Sequence, residues 1–220
     1  MTAIIVEGLD RCGKTTQIKR MMKYFMDKPI QWMHYSAIPG VTPSEQTEFF
    51  KKTFRDMFRM ILTHESTNWI LDRSHLGEAV YAPLYRPQEN PSYVWYLEGE
   101  YRIGSRADIA LIILLDSSLE NLKRDDGDSL STDVEMVKKE IEGFKQVFRS
   151  TSIQNKILID IAGKSIDQVS EEIRIFLSAF RKKNSESSLE YSESFWQYLE
   201  PDKYKPIPNV KIYKSPRNAI

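Results

Sequence analysis

Gly8-Leu9-Asp10-Arg11-Cys12-Gly13-Lys14-Thr15-Thr16 is the stretch from which the rest of this chain can be read. It fits G-x-x-x-x-G-K-[ST], the pattern of a loop that curls around phosphate. Gly8 and Gly13 let successive backbone N–H groups turn inward toward an anion. Lys14 has the reach for the terminal phosphates of a nucleotide, and the Thr15 hydroxyl suits Mg²⁺. The flanks supply the context that the short pattern needs. Ala3-Ile4-Ile5-Val6 is a β-branched apolar run, read as a buried parallel strand. Residues 15–26 carry Ile18, Met21, Met22 and Phe25 at helical spacing. Strand, glycine loop and helix, in that order, set an anion on a helix N-terminus.

Around this core the chain has ordinary globular proportions. Its 220 residues are 41% hydrophobic and 28% charged, with 31 basic and 31 acidic side chains. A zero net charge gives no global field for a polyanion, so any nucleic-acid contact needs a local patch. One cysteine excludes an internal disulfide and a cysteine metal cluster. Its place in the loop, at Cys12, points to a reducing compartment, the cytoplasm. Glu7 interrupts the first apolar run, so no signal peptide is expected, and no run is long enough to span a membrane.

Four more strands are expected: residues 30–35, 68–71, 108–115 and 156–161. Helices are expected between them. Phe49, Phe50, Phe54, Met57, Phe58, Ile61 and Leu62 make one apolar stripe, read as core. Residues 93–102, 116–124, 134–148 and 166–180 read as further helices. The alternation implies an α/β fold, a parallel sheet with helices on both faces, over residues 1–180. Residues 181–194 read as a serine-rich linker. Residues 195–220 form an extension with Trp196, Tyr198, Tyr204 and Tyr213 among basic residues and prolines.

Glu7 to Gln17 resembles the E-G-x-D-x-x-G-K-[ST]-T-Q signature of the thymidylate kinases, among the P-loop nucleoside monophosphate kinases. Asp72-Arg73 after a strand resembles that family's D-R motif. Residues 111–124, with Asp116, Glu120 and Arg124 four apart, are similar to the segment entering its lid. Residues 159–165, with Gly163 and Lys164, are similar to its adenine-side loop. The resemblance implies an ATP- and Mg²⁺-dependent phosphotransferase, a cofactor site at residues 8–16 with Arg124, Gly163 and Lys164, and commonly a homodimer. It implies that Asp10 contacts the acceptor sugar and Arg11 the transferring phosphoryl group.

The residues also carry readings of their own. Asp72 at a strand end either holds Mg²⁺ with Thr15, accepts a proton, or caps a helix. Arg73 either grips the acceptor phosphate bidentately or forms a structural ion pair. Tyr81, Tyr85 and Arg86 either line an acceptor pocket or pack, and His75 is either structural or a base.

The pattern breaks on the acceptor side. Residues 35–43 carry no basic residue, and the segment from there to Asp72 is short for the family. The expected acceptor is therefore a thymidylate-like deoxynucleotide or a nucleotide still in a polymer. Some phage enzymes of the family phosphorylate 5-hydroxymethyluracil within DNA, and a basic, aromatic extension suits such a partner. That extension read as a packed strap is the alternative. A deoxynucleoside kinase is a third expectation, from Asp72-Arg73-Ser74.

Overall fold

The computed structural model describes residues 2–23, 29–64, 66–123 and 133–184. Five strands are present: β1 (Thr2–Gly8), β2 (Ile30–His34), β3 (Asn68–Asp72), β4 (Ile109–Leu115) and β5 (Asn155–Asp160). All pair in parallel, in the order β2-β3-β1-β4-β5. Every residue of β3 and β4 is buried, as continuous apolar strands in the middle of a two-faced sheet require.

The helices are α1 (Lys14–Met22), α2 (Pro43–Thr63), α3 (His75–Tyr85), α4 (Tyr93–Glu100), α5 (Val134–Ser150) and α6 (Ile166–Asn184). α1 packs on α6, and α3 packs on α5. Right-handed crossovers explain this. The chain leaves β1 in one direction across the sheet and leaves β3 in the other. The following helices therefore fall on opposite faces, and a crevice opens at the C-terminal ends of β1 and β3. Such switch points are where open α/β sheets bind ligands.

Local chemistry sets the element ends. Thr42 caps α2 in a capping box with Glu45, which also stops the preceding loop. Ser74 caps α3 by accepting from Leu76 N–H, so Asp72 is not the cap. The expected helix over residues 116–124 is replaced by a turn and a short 3-10 stretch, Glu120–Lys123. Asp116 Oδ1 accepts from the Ser118 amide and hydroxyl, offering the backbone a turn in competition with helix. Asp116 and Glu120 thus do not share a helical face, and Arg124 lies outside the described residues. So do residues 185–220, which include the basic, aromatic extension. α4 ends at Glu100 rather than 102, where Arg102 turns left-handed at φ 51°. Phe49, placed in the core stripe by spacing, is 42% exposed, whereas Phe50, Phe54 and Phe58 are buried. Among the described residues no helix is long and apolar enough to cross a membrane.

Candidate active site

Gly8 ends β1 against β4. Its φ is 131°, and a Cβ there would lie 1.9 Å from the Leu114 carbonyl oxygen. Only glycine fits, and Leu9 N–H can then donate to that same oxygen at 3.2 Å. The chain is thereby turned into the loop of residues 9–13. Leu9 and Cys12 point into the core, so these two can meet a ligand only through backbone. Burial pushes the Cys12 thiol up to about 12, which leaves it a protonated, inert packing group. Gly13, left-handed at φ 77°, hands over to α1 without a side-chain cap, leaving the helix N-terminus for an anion.

Lys14 is buried, and its Nζ donates to the Gly8 and Leu9 carbonyls at 3.1 and 2.7 Å. The ammonium is therefore held across the curl of the loop. Burial and the nearby Arg73 charge both lower its pKa, while Asp10 at 4.0 Å supports the charge. Thr15 and Thr16 stand exposed at the loop mouth. The Thr15 hydroxyl donates to Asp72 Oδ2 at 3.2 Å, and His34 Nδ1 meets the same oxygen at 3.2 Å. Asp72 Oδ1 is buried without a hydrogen-bond partner. A hydroxyl beside a carboxylate with an orphaned oxygen is a donor set that fits Mg²⁺.

Two arginines here take left-handed backbone, Arg11 at φ 62° and Arg73 at φ 72°. Each such residue costs about 1–2 kcal/mol, and such strain gathers at functional sites. Arg73 is pinned by its amide, which donates to Val6 O at 2.9 Å, and by an ion pair with Asp10. Burial works against its charge, but Tyr81, Asp10 and Glu7 outweigh that and raise its pKa. Glu7 lies underneath, fully buried. Its Oε1 accepts from Ser74 N–H, Ser74 Oγ and Gly77 N–H at 2.7, 2.8 and 3.0 Å. Burial raises its pKa against those bonds. Glu7 thus ties the loop strand to the start of α3 and fixes where Arg73 stands.

Beyond Arg73 opens a cavity of about 270 Å³. Tyr35, Phe50 and Phe54 form its apolar wall, with Phe50 and Phe54 stacked at 5.2 Å and 7°. Tyr81, Tyr85 and Arg86 line it as well. Arg86 is bidentate to Glu78 through one nitrogen at 2.6 and 2.6 Å and lies 5.9 Å from the Phe50 ring centre. Burial pushes the Glu78 carboxyl up, against the pull of Arg86 and Tyr93.

Not every expected residue joins the site. His75 is fully buried, edge-on to Phe58, with Nε2 3.2 Å from Glu98 Oε1, so it is structural. Lys164 pairs with Glu172 of α6 at 2.7 Å, and Gly163 makes the left-handed turn beside it after β5. Three members are absent from the sequence reading: His34, Gln46 and Glu140, the last joined to Tyr85 by a hydrogen bond. Gln46 and Glu140 carry a signal in retrospect. Each is a polar residue in line with an apolar helix face, Gln46-Phe50-Phe54 and Val137-Glu140-Phe144.

No protein-family model matches the chain. Among solved structures, it is similar to thymidylate kinase from Candida albicans, whose structure was described as revealing the origin of broad substrate specificity. That match has a TM-score of 0.59 and 17% identity, over 82% of this chain and 92% of that one. It is also similar to the YorR protein of Bacillus subtilis in complex with phosphorylated GDP. Here the TM-score is 0.58 and the identity 19%, over 83% and 98% of the two chains. At these identities the likeness is one of architecture: the chain shares the α/β fold of these two structures.

Proposed function

We propose that this chain is an ATP- and Mg²⁺-dependent phosphotransferase of the thymidylate kinase type, acting on a thymidylate-like deoxynucleotide. The carrying observation is that Arg73 belongs to two places at once: it pairs with Asp10 of the loop and lines the cavity. A donor held by the loop and an acceptor held in the cavity would meet at that arginine. Phosphoryl transfer asks for little else than alignment and charge neutralisation. Lys14 and the amides of residues 9–16 would hold the donor phosphates. Arg11 would neutralise the transferring group, and Arg73 would fix the acceptor phosphate bidentately. Thr15 and Asp72 would hold Mg²⁺, which supplies further neutralisation of phosphate charge. The stacked Phe50 and Phe54 suit a flat base, and Asp10 would contact the acceptor sugar. Incubation with γ-labelled ATP, Mg²⁺ and free deoxynucleoside monophosphates tests this. Label on the monophosphate is expected; ATP hydrolysis with no labelled acceptor would overturn it.

A second reading, transfer to the hydroxymethyl group of 5-hydroxymethyluracil in DNA, is favoured by one feature. A second cavity of about 390 Å³ lies between α2 and α4, lined by Lys51, Lys52, Arg55, Tyr93 and Tyr96 together with Glu48 and Glu100. Tyr93, which lines this second cavity, contacts a residue that lines the first. Its hydroxyl donates to Glu78 at 3.1 Å, and Lys51 Nζ sits 5.7 Å from its ring. Cations and aromatic faces side by side suit a polynucleotide strand. The labelled-ATP assay with hydroxymethyluracil-containing DNA as acceptor separates the readings.

A further inference from the structure

The polar atoms that line the first cavity are nearly all committed. The hydroxyls of Tyr35, Tyr81 and Tyr85 donate to Met33 Sδ, Gly8 O and Glu140. Ser74 Oγ donates to Glu7, and the Glu78 carboxylate is taken by Arg86 and Tyr93. Among the described residues that line it, two buried side-chain atoms have no hydrogen-bond partner: Arg73 Nε and Gln46 Nε2. Both are donors. Gln46 is only 5% exposed, yet it lines the cavity.

Its orientation is settled by the backbone. Gln46 Oε1 accepts from Ile38 N–H at 2.7 Å, a role the amide nitrogen cannot fill, so the NH₂ end is the one left over. Gln46 stands one helical turn before Phe50 and two before Phe54, on the face carrying the aromatic wall. A buried amide donor without a partner costs free energy unless something supplies an acceptor. A flat ring lying against Phe50 brings its edge to that face of α2.

We propose that Gln46 is a specificity-determining residue, donating from Nε2 to a ring carbonyl of the acceptor base. It thereby selects keto bases, uracil or thymine and guanine, over cytosine and adenine, which carry an amine at the corresponding position. The inference rests on reading the cavity as the acceptor site. The recognised chemistry is the carbonyl edge, whether the base arrives free or in a strand. An amine there would set donor against donor and leave both unsatisfied, which is how a hydrogen-bonding site rejects a near-isostere.

The test is equilibrium binding of the full chain to dUMP and dCMP, and to oligonucleotides of deoxyuridine and of deoxycytidine. The free and polymeric arms tell which source the cavity accepts. Binding tighter by about tenfold or more for the uracil member is expected in at least one arm. Two variants probe Gln46. Gln46→Glu keeps an oxygen for Ile38 N–H and replaces the donor; Gln46→Met removes both polar atoms. The uracil-to-cytosine ratio should fall toward one in both. A purely structural role would weaken both ligands together and preserve the ratio. Equal binding of the two bases, binding of neither in any form, or a ratio surviving both variants would overturn the proposal. Phosphoryl transfer is scored separately. Transfer without base preference sinks this inference and leaves the kinase reading; preference without transfer does the reverse.

Discussion

Arg73, the first residue after β3, is ion-paired to Asp10 in the loop after β1. Two neighbouring parallel strands thus end in opposite charges that face each other across the crevice. The pair is 24% and 15% exposed at its side chains, so it is well shielded from solvent. Its position makes it the hinge of the proposed chemistry. Arg73→Lys keeps the charge but loses the planar fork that matches phosphate. Turnover is expected to fall by roughly 10²-fold, with a raised acceptor KM and a thermal midpoint close to that of the native chain. Steady-state kinetics beside a melting curve checks it; unchanged kinetics would assign Arg73 to structure alone.

Lys14→Ala removes the ammonium that spans the loop. Transfer is expected to drop by about 10³-fold, while far-ultraviolet circular dichroism remains native. Retained turnover would refute its role.

Asp72→Asn keeps an acceptor for the Thr15 hydroxyl but removes the charge that suits a cation. Turnover should fall by roughly 10²-fold, and far more than ATP affinity does. An Mg²⁺ titration of the rate should move its midpoint upward. A rate and midpoint like those of the native chain would leave Asp72 as a hydrogen-bond acceptor only.

Gly8→Ala tests the fold rather than the chemistry. The new Cβ would fall on the Leu114 carbonyl, in a backbone region that L-residues avoid. Backbone strain and overpacking together predict a loss of roughly 3 kcal/mol or more. Urea denaturation measures it; a midpoint equal to that of the native chain would contradict the geometry.

Glu98 makes a prediction about acid. Burial alone would raise its carboxyl, but His75, Thr151 and the Ser152 amide overcome this and bring it to about 2 from an ordinary 4.5. The unfolded chain therefore takes up the proton first as pH falls. The stabilisation is full above about 4.5 and is lost as pH drops toward 2. Glu7, Glu78 and Glu140, whose pKa values are raised, act in the opposite sense. The informative quantity is thus the native stability minus that of Glu98→Gln at pH 5, 4 and 3. That difference should shrink steadily; a constant difference would deny the ionic role.

How much was legible depends on whether a feature is local. The strand, loop and helix around Gly8 to Lys14 were read correctly because each obeys a short-range rule: β-branched burial, glycine curvature and 3.6-residue spacing. The buried β4 was plain for the same reason. Residues 116–124 misled because helical spacing competed with an Asx turn at Asp116, and spacing alone cannot weigh the two. Phe49 misled because an apolar stripe does not say where the neighbouring element stops covering it.

The amino-acid order alone determined the alternation of strands and helices, and with it a parallel sheet and a glycine-bounded loop after its first strand. Only the tertiary structure decided which strands adjoin. Placing β3 beside β1 joined Asp72 to Thr15 and Arg73 to Asp10 across some sixty residues of chain. It also turned Gln46, Glu78 and Arg86 toward one cavity. Periodicity is written within a helix or strand, whereas adjacency between them depends on crossover handedness and on which faces bury the most apolar surface.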